Sequence, residues 1–174
     1  VEGLRAVLQC GKSLILDADA LNLLAEQPDL LVQVPAGSIL TPHLGELRRL
    51  IGDWTSDQQR NDKVQELARR LMSIVVVKGA HTMICTPECV CYFNSTGDAG
   101  MAKGGSGDVL TGLITGLRAR GCQALEAAIL GVYLHGLAGD KAADYYGQEG
   151  MNAGDLADFI GESWLELEDR PFES

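Results

Sequence analysis

Short apolar runs, each closing on a polar or glycine-containing turn and followed by helical periodicity, set the pattern of this chain. Ser13–Leu16 predicts a buried parallel strand. It ends at the loop Asp17-Ala18-Asp19, which opens a helix over Ala20–Glu26. Pro28 and Pro35 bracket a connection, and Ser38–Leu40 predicts a second short strand. That strand leads through Thr41-Pro42-His43-Leu44-Gly45-Glu46 into a helix from about Glu46 to Leu50. Thr55 or Ser56 is placed to cap a longer helix to Met72, with Val64, Leu67, Ala68 and Leu71 on one face. Ile74–Val77 is the clearest strand pattern and ends in Lys78-Gly79. Thr82–Cys85 and Val90–Phe93 predict a hairpin turning at Pro87-Glu88. A glycine loop over Gly97–Gly107 follows, then helices at about Val109–Arg120, Leu125–Tyr146 and Asp155–Glu166. No internal repeat, low-complexity segment or linker interrupts the pattern. Strands alternating with helices predict a layered α/β fold. In such folds ligands collect at the carboxyl ends of the strands. The Asp17, Thr41, Lys78 and Gly104 segments all fall at strand ends or before helices, so they are expected to converge on one rim.

Composition narrows the class. A length of 174 residues fits one domain, taken here as 1–174. With 46% hydrophobic but only 5% aromatic residues, the core must be built from Leu, Ile, Val and Ala. The net charge of −10 argues against non-specific binding to nucleic acid or an anionic membrane. It leaves room for a phosphate site, because glycine loops bind anions through backbone N–H groups. No apolar run approaches the roughly 18 residues that span a bilayer. Cys10, Cys85, Cys89, Cys91 and Cys122 are an odd number at irregular spacing, which predicts reduced thiols in a cytoplasm. Cys85, Cys89 and Cys91 lie in a predicted hairpin with no fourth ligand nearby, so no metal site is expected. The chain opens on Val1 in mid-pattern, as a fragment or a processed chain would.

Candidate chemistry centres on Met101–Gly112. Gly104, Gly105 and Gly107 free the backbone to turn its N–H groups toward one point. The helix that follows adds unpaired N–H groups and the positive end of its dipole. The arrangement predicts a pocket for a phosphoryl group in transfer. Asp108 is a carboxylate beside that pocket, and deprotonating an attacking hydroxyl would account for it. A helix-capping Asp after a flexible turn is the simpler alternative.

Four motifs now stand together: Leu16-Asp17-Ala18-Asp19-Ala20-Leu21-Asn22, Thr41-Pro42-His43-Leu44-Gly45-Glu46, Val77-Lys78-Gly79-Ala80-His81-Thr82 and the glycine loop ending at Asp108. In this order and spacing the chain resembles the ADP- or ATP-dependent NAD(P)H-hydrate dehydratases of the ribokinase-like superfamily, related to carbohydrate kinases. Tyr133-Leu134-His135-Gly136-Leu137-Ala138-Gly139-Asp140 resembles the family's helix after the anion loop. The resemblance implies a ribokinase-like α/β/α fold with a largely parallel central sheet. It implies a hydro-lyase that restores NADH or NADPH from the S epimer of its hydrate while consuming a nucleotide. Phosphorylation of the C6 hydroxyl would turn a poor leaving group into a good one.

The same resemblance assigns residues. Asp108 is the implied base, and His43 and Asp108 contact the hydrate. Lys78, Gly79, Ala80, His81 and Thr82 line the adenine nucleotide. Gly107 contacts it too, with Gly97, Asp98, Ala99, Gly100, Met101, Ala102, Lys103, Gly104, Gly105 and Ser106 completing the loop. ADP or ATP is the implied co-substrate, ADP being the choice of the bacterial members, with Mg2+ carried by the nucleotide. A homo-oligomer, and an epimerase domain in a longer parent, are also expected. The family domain continues upstream of Val1, so the resemblance implies a missing first part, with Ser13–Leu16 beside an unfilled position. The piece alone is then expected to be inactive and prone to associate.

Simpler readings stand beside these. His43 could only cap a helix, and Lys78 could be a solvated strand-end charge. Asp17 and Asp19 read as turn and cap residues, Asn22 as a polar helix-face group and His135 as a satisfied core histidine. The common family pattern has Pro where Leu44 stands and Asn-Pro where Asp98-Ala99 stands. Two other functions fit the glycine loop: a small-molecule kinase acting on a thiazole, pyrimidine or sugar hydroxyl, and a nucleotide-binding module without catalysis.

Overall fold

The computed structural model describes residues 1–169. Three short strands, β1 (Ile15–Leu16), β2 (Ile39–Leu40) and β3 (Ile74–Val77), pair in parallel in chain order. The antiparallel hairpin of β4 (Met83–Cys85) and β5 (Cys91–Phe93) completes a five-stranded sheet. Since β5 reverses β4, four of the five strands point the same way. β1 is the outer strand on one side. Ile15 lies opposite Ile39, and Leu40 lies opposite both Leu16 and Val75, so β1 and β2 end level while β3 runs on to Val77.

Helices cover both faces, which is why the central strand is apolar at every position. All four residues of β3 are buried. Val75 and Val77 pack with Leu21 and Leu24 of α2 (Asp19–Glu26), Leu47 of α4 (Leu44–Ile51), and Val64 and Leu67 of α5 (Asp57–Leu71). Ile74 and Val76 face the other way, onto Leu110 and Ile114 of α6 (Ser106–Ala119) and Ala127 and Ala128 of α7 (Ala124–Tyr146). The result is the expected α/β/α layering. A Cβ on Gly131 of α7 would come 2.7 Å from the Ile114 side chain, so glycine here lets α6 and α7 approach closely. α8 (Ala153–Glu168) packs against α7 and α6.

Two helices are absent from the sequence expectation. α1 (Glu2–Leu8) buries only Leu8, so it carries almost no periodic signal. α3 (Pro28–Leu31) fills what looked like a connection, with Pro28 at its first position, where a missing N–H costs nothing. α6 begins at Ser106 rather than Val109, because Gly105 at φ +91° turns the chain into the helix. Ser56, not Thr55, caps α5, its Oγ accepting from the Gln59 N–H. In the hairpin Cys85 and Cys91 face each other, with Sγ atoms 3.2 Å apart and the thiols free. Among the described residues, no helix is long and apolar enough to cross a membrane.

Candidate active site

The carboxyl ends of the parallel strands deliver three loops to one rim. The Thr41 N–H donates to the Leu16 carbonyl, the Lys78 N–H donates to the Pro42 carbonyl, and His43 and Lys78 form a parallel bridge. Asp17 follows β1 directly, and its carboxylate organises the rim. Lys78 Nζ donates to Asp17 Oδ1 at 2.6 Å, and Thr111 Oγ1 donates to Oδ2 at 2.6 Å. The Ala18 N–H adds a third hydrogen bond, to Oδ1 at 2.8 Å. Thr41 Oγ1 lies 3.4 Å from Thr111 Oγ1, extending the network to β2. The Asp17 side chain is only 9% exposed and that of Lys78 19%. Burial pushes the Asp17 carboxyl up, but Lys78, Thr111 and the Ala18 N–H together outweigh it and hold it below its ordinary value.

The glycine loop brings α6 to this network. The Ser106 N–H donates to the Lys103 carbonyl and the Val109 N–H to the Gly105 carbonyl, while the Gly107 and Asp108 N–H groups between them have no intrahelical acceptor. Lys78 Nζ lies 3.1 Å from the position a Gly107 Cβ would take. A cation and a helix N-terminus thus meet at one point, the combination that favours a phosphate. Gly107 and Thr111 are one turn apart on the same face of α6, toward Asp17 and Lys78. Asp108 sits beside them in the first turn, exposed.

α7 holds the loop from behind. His135 Nε2 donates to the Ser106 carbonyl at 2.9 Å and lies 3.4 Å from Ser106 Oγ. Burial lowers the His135 pKa; the Ser106 carbonyl opposes this, and the charge on Lys78 adds to it. Both Asp140 oxygens accept from the Gly97 N–H at 3.1 Å. Burial and the nearby Asp98 and Asp144 carboxylates raise the Asp140 pKa against that bond. Thr96 Oγ1 donates to the Tyr133 carbonyl. In the 3-10 turn Ala99–Met101, Asp98 Oδ1 accepts from the Gly100 N–H and Oδ2 from Gln148. Gly100 is buried against Gln148 and Met151, and Met101 packs on Gly139. Lys103 Nζ donates to the carbonyls of Gln148, Glu149 and Met151, so its charge is engaged by the α7–α8 connection. Ala102 and Gly104 are exposed, and a Cβ at Gly104 would meet open space.

His43 caps α4. Its Nδ1 accepts from the Gly45 and Glu46 N–H groups, and Glu46 Oε2 accepts from the His43 N–H. That tautomer leaves the proton on Nε2, which lies 3.4 Å from Glu46 Oε1 on an exposed ring. Gly79, Ala80 and His81 form an exposed turn closed by Thr82, whose Oγ1 donates to the Gly79 carbonyl. Two cavities lie away from the Lys78–Gly107 point. One, of about 410 Å³, is lined by α4 and α5, and the other, of about 520 Å³, is an apolar groove between α6 and α8. Among the described residues, no three His, Cys, Asp or Glu side chains gather to hold a metal ion.

Residues 2–162 match the family described as NAD(P)H-hydrate dehydratase. The chain belongs to that family. It is 46% identical over 149 residues to the bifunctional NAD(P)H-hydrate repair enzyme Nnr of Moorella thermoacetica, covering 84% of this chain and 28% of that protein. Its structure is similar to that of the Bacillus subtilis ADP/ATP-dependent NAD(P)H-hydrate dehydratase co-crystallised with ATP and Mg2+, with a TM-score of 0.80 and 33% identity. That match covers 92% of this chain and 57% of the other. A ribokinase-like superfamily protein of Enterococcus faecalis gives a TM-score of 0.81 at 28% identity, covering 98% and 59%. The fold is therefore ribokinase-like. The chain spans between about a quarter and three fifths of the length of these proteins.

Four supporting residues are not marked out by the sequence. Asp17 read as a turn former and His135 as a core histidine. Asp17 does accept a turn bond, and His135 is buried and satisfied, but both also fix the glycine-loop end of α6. Thr111 and Asp140 fall within the Met101–Gly112 and Tyr133–Asp140 segments, where nothing singles them out. One signal was available: on α7 His135 pairs with Gly139, and Gly136 with Asp140, each four residues apart, so each pair shares a face. Asp19 is exposed in the first turn of α2, and Asn22 accepts from Arg49, so both keep local roles.

Proposed function

We propose that the protein dehydrates the (S)-hydrates of NADH and NADPH in a reaction coupled to consumption of ADP or ATP. The observation that carries this reading is the meeting of Lys78 Nζ with the first turn of α6, beside the exposed Asp108. Lys78 and the free N–H groups of that turn are suited to hold a phosphoryl group and stabilise charge on its oxygens. Asp108 takes the proton of the C6 hydroxyl as its oxygen attacks phosphorus and the nucleotide leaves. The ring nitrogen lone pair then expels phosphate from C6. Loss of a proton from C5 restores the C5–C6 double bond. The products are the dihydronicotinamide, phosphate and the nucleotide shortened by one phosphate.

The turn Lys78–Thr82 and the loop Gly97–Gly107 flank that point in the chain and serve as the nucleotide side. His43 presents its Nε2–H at the end of β2 and serves the hydrate side. Mg2+ enters as an ion carried on the nucleotide phosphates. Relatives that are bifunctional repair enzymes support an epimerase as the partner activity. A homo-oligomer in the cytoplasm is the expected setting.

The test is to incubate the full-length protein carrying these residues with NADPH hydrate and ADP or ATP. Recovery of dihydronicotinamide absorbance, with one phosphate released per hydrate consumed, is the expected result. Phosphorylation of a thiazole, pyrimidine or sugar alcohol without hydrate turnover would assign it to a small-molecule kinase instead.

A further inference from the structure

We propose that Asp17 is a positioning residue of the nucleotide site, acting through Lys78 and Thr111 rather than by touching substrate. The inference rests on the nucleotide reading of Lys78 and α6 given above.

A nearly buried carboxylate is costly unless its charge is paired and its lone pairs are used. Asp17 meets both conditions, with one oxygen on Lys78 and the other on Thr111. The two partners come from different layers: Lys78 ends β3, and Thr111 is on α6. A lysine ammonium sits on a flexible four-carbon stem and does not hold one place unaided. The Asp17 contact stops Nζ beside Gly107. The same carboxylate holds α6 one turn beyond Gly107, which fixes the depth of the helix N-terminus against the strand ends. One side chain therefore sets both halves of the anion site, the cation and the helix end. Strand β1 supplies it from two positions away in the sheet, with β2 between.

A different role predicts the opposite sign. If Asp17 merely neutralised Lys78, removing its charge would free the ammonium and tighten nucleotide binding. Positioning predicts weaker binding.

The experiment is calorimetric titration of ADP and ATP into the full-length protein and its Asp17→Asn, Lys78→Met and double variants, with thermal unfolding to confirm folding. Asn keeps the shape and an acceptor for Thr111 but not the ion pair. Asp17→Asn is expected to weaken nucleotide binding about 10-fold or more, the scale of a lost charge-assisted hydrogen bond. In the Lys78→Met background the same substitution is expected to have almost no further effect, because the two residues act as one unit. Thr111→Val, which leaves the ion pair in place, is expected to give a smaller loss. Unchanged or tighter binding by Asp17→Asn would overturn the proposal, as would losses that simply add in the double variant. Wild-type protein that binds nucleotide but does not turn over hydrate would contradict the proposed function and leave this inference testable.

Discussion

The ammonium of Lys78 occupies the space that a side chain at Gly107 would enter: the two points lie 3.1 Å apart. Asp17 restrains Lys78 from retreating. Gly107→Val should therefore push Nζ out of register with the α6 N–H groups. We expect nucleotide affinity by calorimetry to fall about 10-fold or more. Unchanged affinity would mean that Lys78 and α6 do not form one anion site.

Gly105→Val tests the loop rather than the cation. Gly105 has φ +91°, which a β-branched residue adopts only with strain, and a Cβ there would stand 3.0 Å from that of Ala153. Such strain costs on the order of 1–3 kcal/mol. A lowered melting temperature and weakened nucleotide binding are expected together. Unaltered affinity would reduce the loop to a turn.

The sequence foretold these glycines better than it foretold what surrounds them. Parallel strands buried on both faces appear as short apolar runs, so β1, β2 and β3 were legible. α1 and α3 were not, because seven and four residues give too little periodicity to stand out. Asp17 could be read only as a turn residue, since its partners lie 61 and 94 residues away. The resemblance includes Lys103 in the nucleotide loop; that three carbonyls near α8 hold its ammonium has no sign in the sequence. The two departures from the family pattern have a physical account. Leu44 and Ala99 each follow a capping side chain, His43 or Asp98, at the first position of a helical turn. Proline suits that position, but the cap already fixes the turn.

His43 carries two separable duties. Its Nδ1 caps α4, so His43→Ala should lower stability by about 1 kcal/mol. The same variant should raise the KM for hydrate more than the dissociation constant for nucleotide. His43→Asn supplies a capping oxygen without the imidazole, so it should recover stability and leave the hydrate KM high. Loss of nucleotide affinity with a normal hydrate KM would reverse the assignment.

His135 predicts an acid sensitivity. Burial keeps the folded imidazole neutral below the pH at which the unfolded one, near 6.5, takes up a proton. Between those two pH values the unfolded state binds more protons, so stability falls as pH falls. Denaturant midpoints from pH 7.5 down to 5 should decline in the wild type. His135→Gln should start lower, having lost the bond to Ser106, and decline less steeply. Parallel profiles would show that His135 does not contribute to the slope.

The reaction itself turns on Asp108. Single-turnover measurements of NADPH hydrate with saturating nucleotide, on full-length wild-type and Asp108→Asn protein, test that directly. Removing a general base typically costs about 10²- to 10⁴-fold in rate. We expect that loss in recovery of dihydronicotinamide absorbance, with nucleotide binding retained by calorimetry. Turnover by Asp108→Asn at the wild-type rate would contradict the account at its centre.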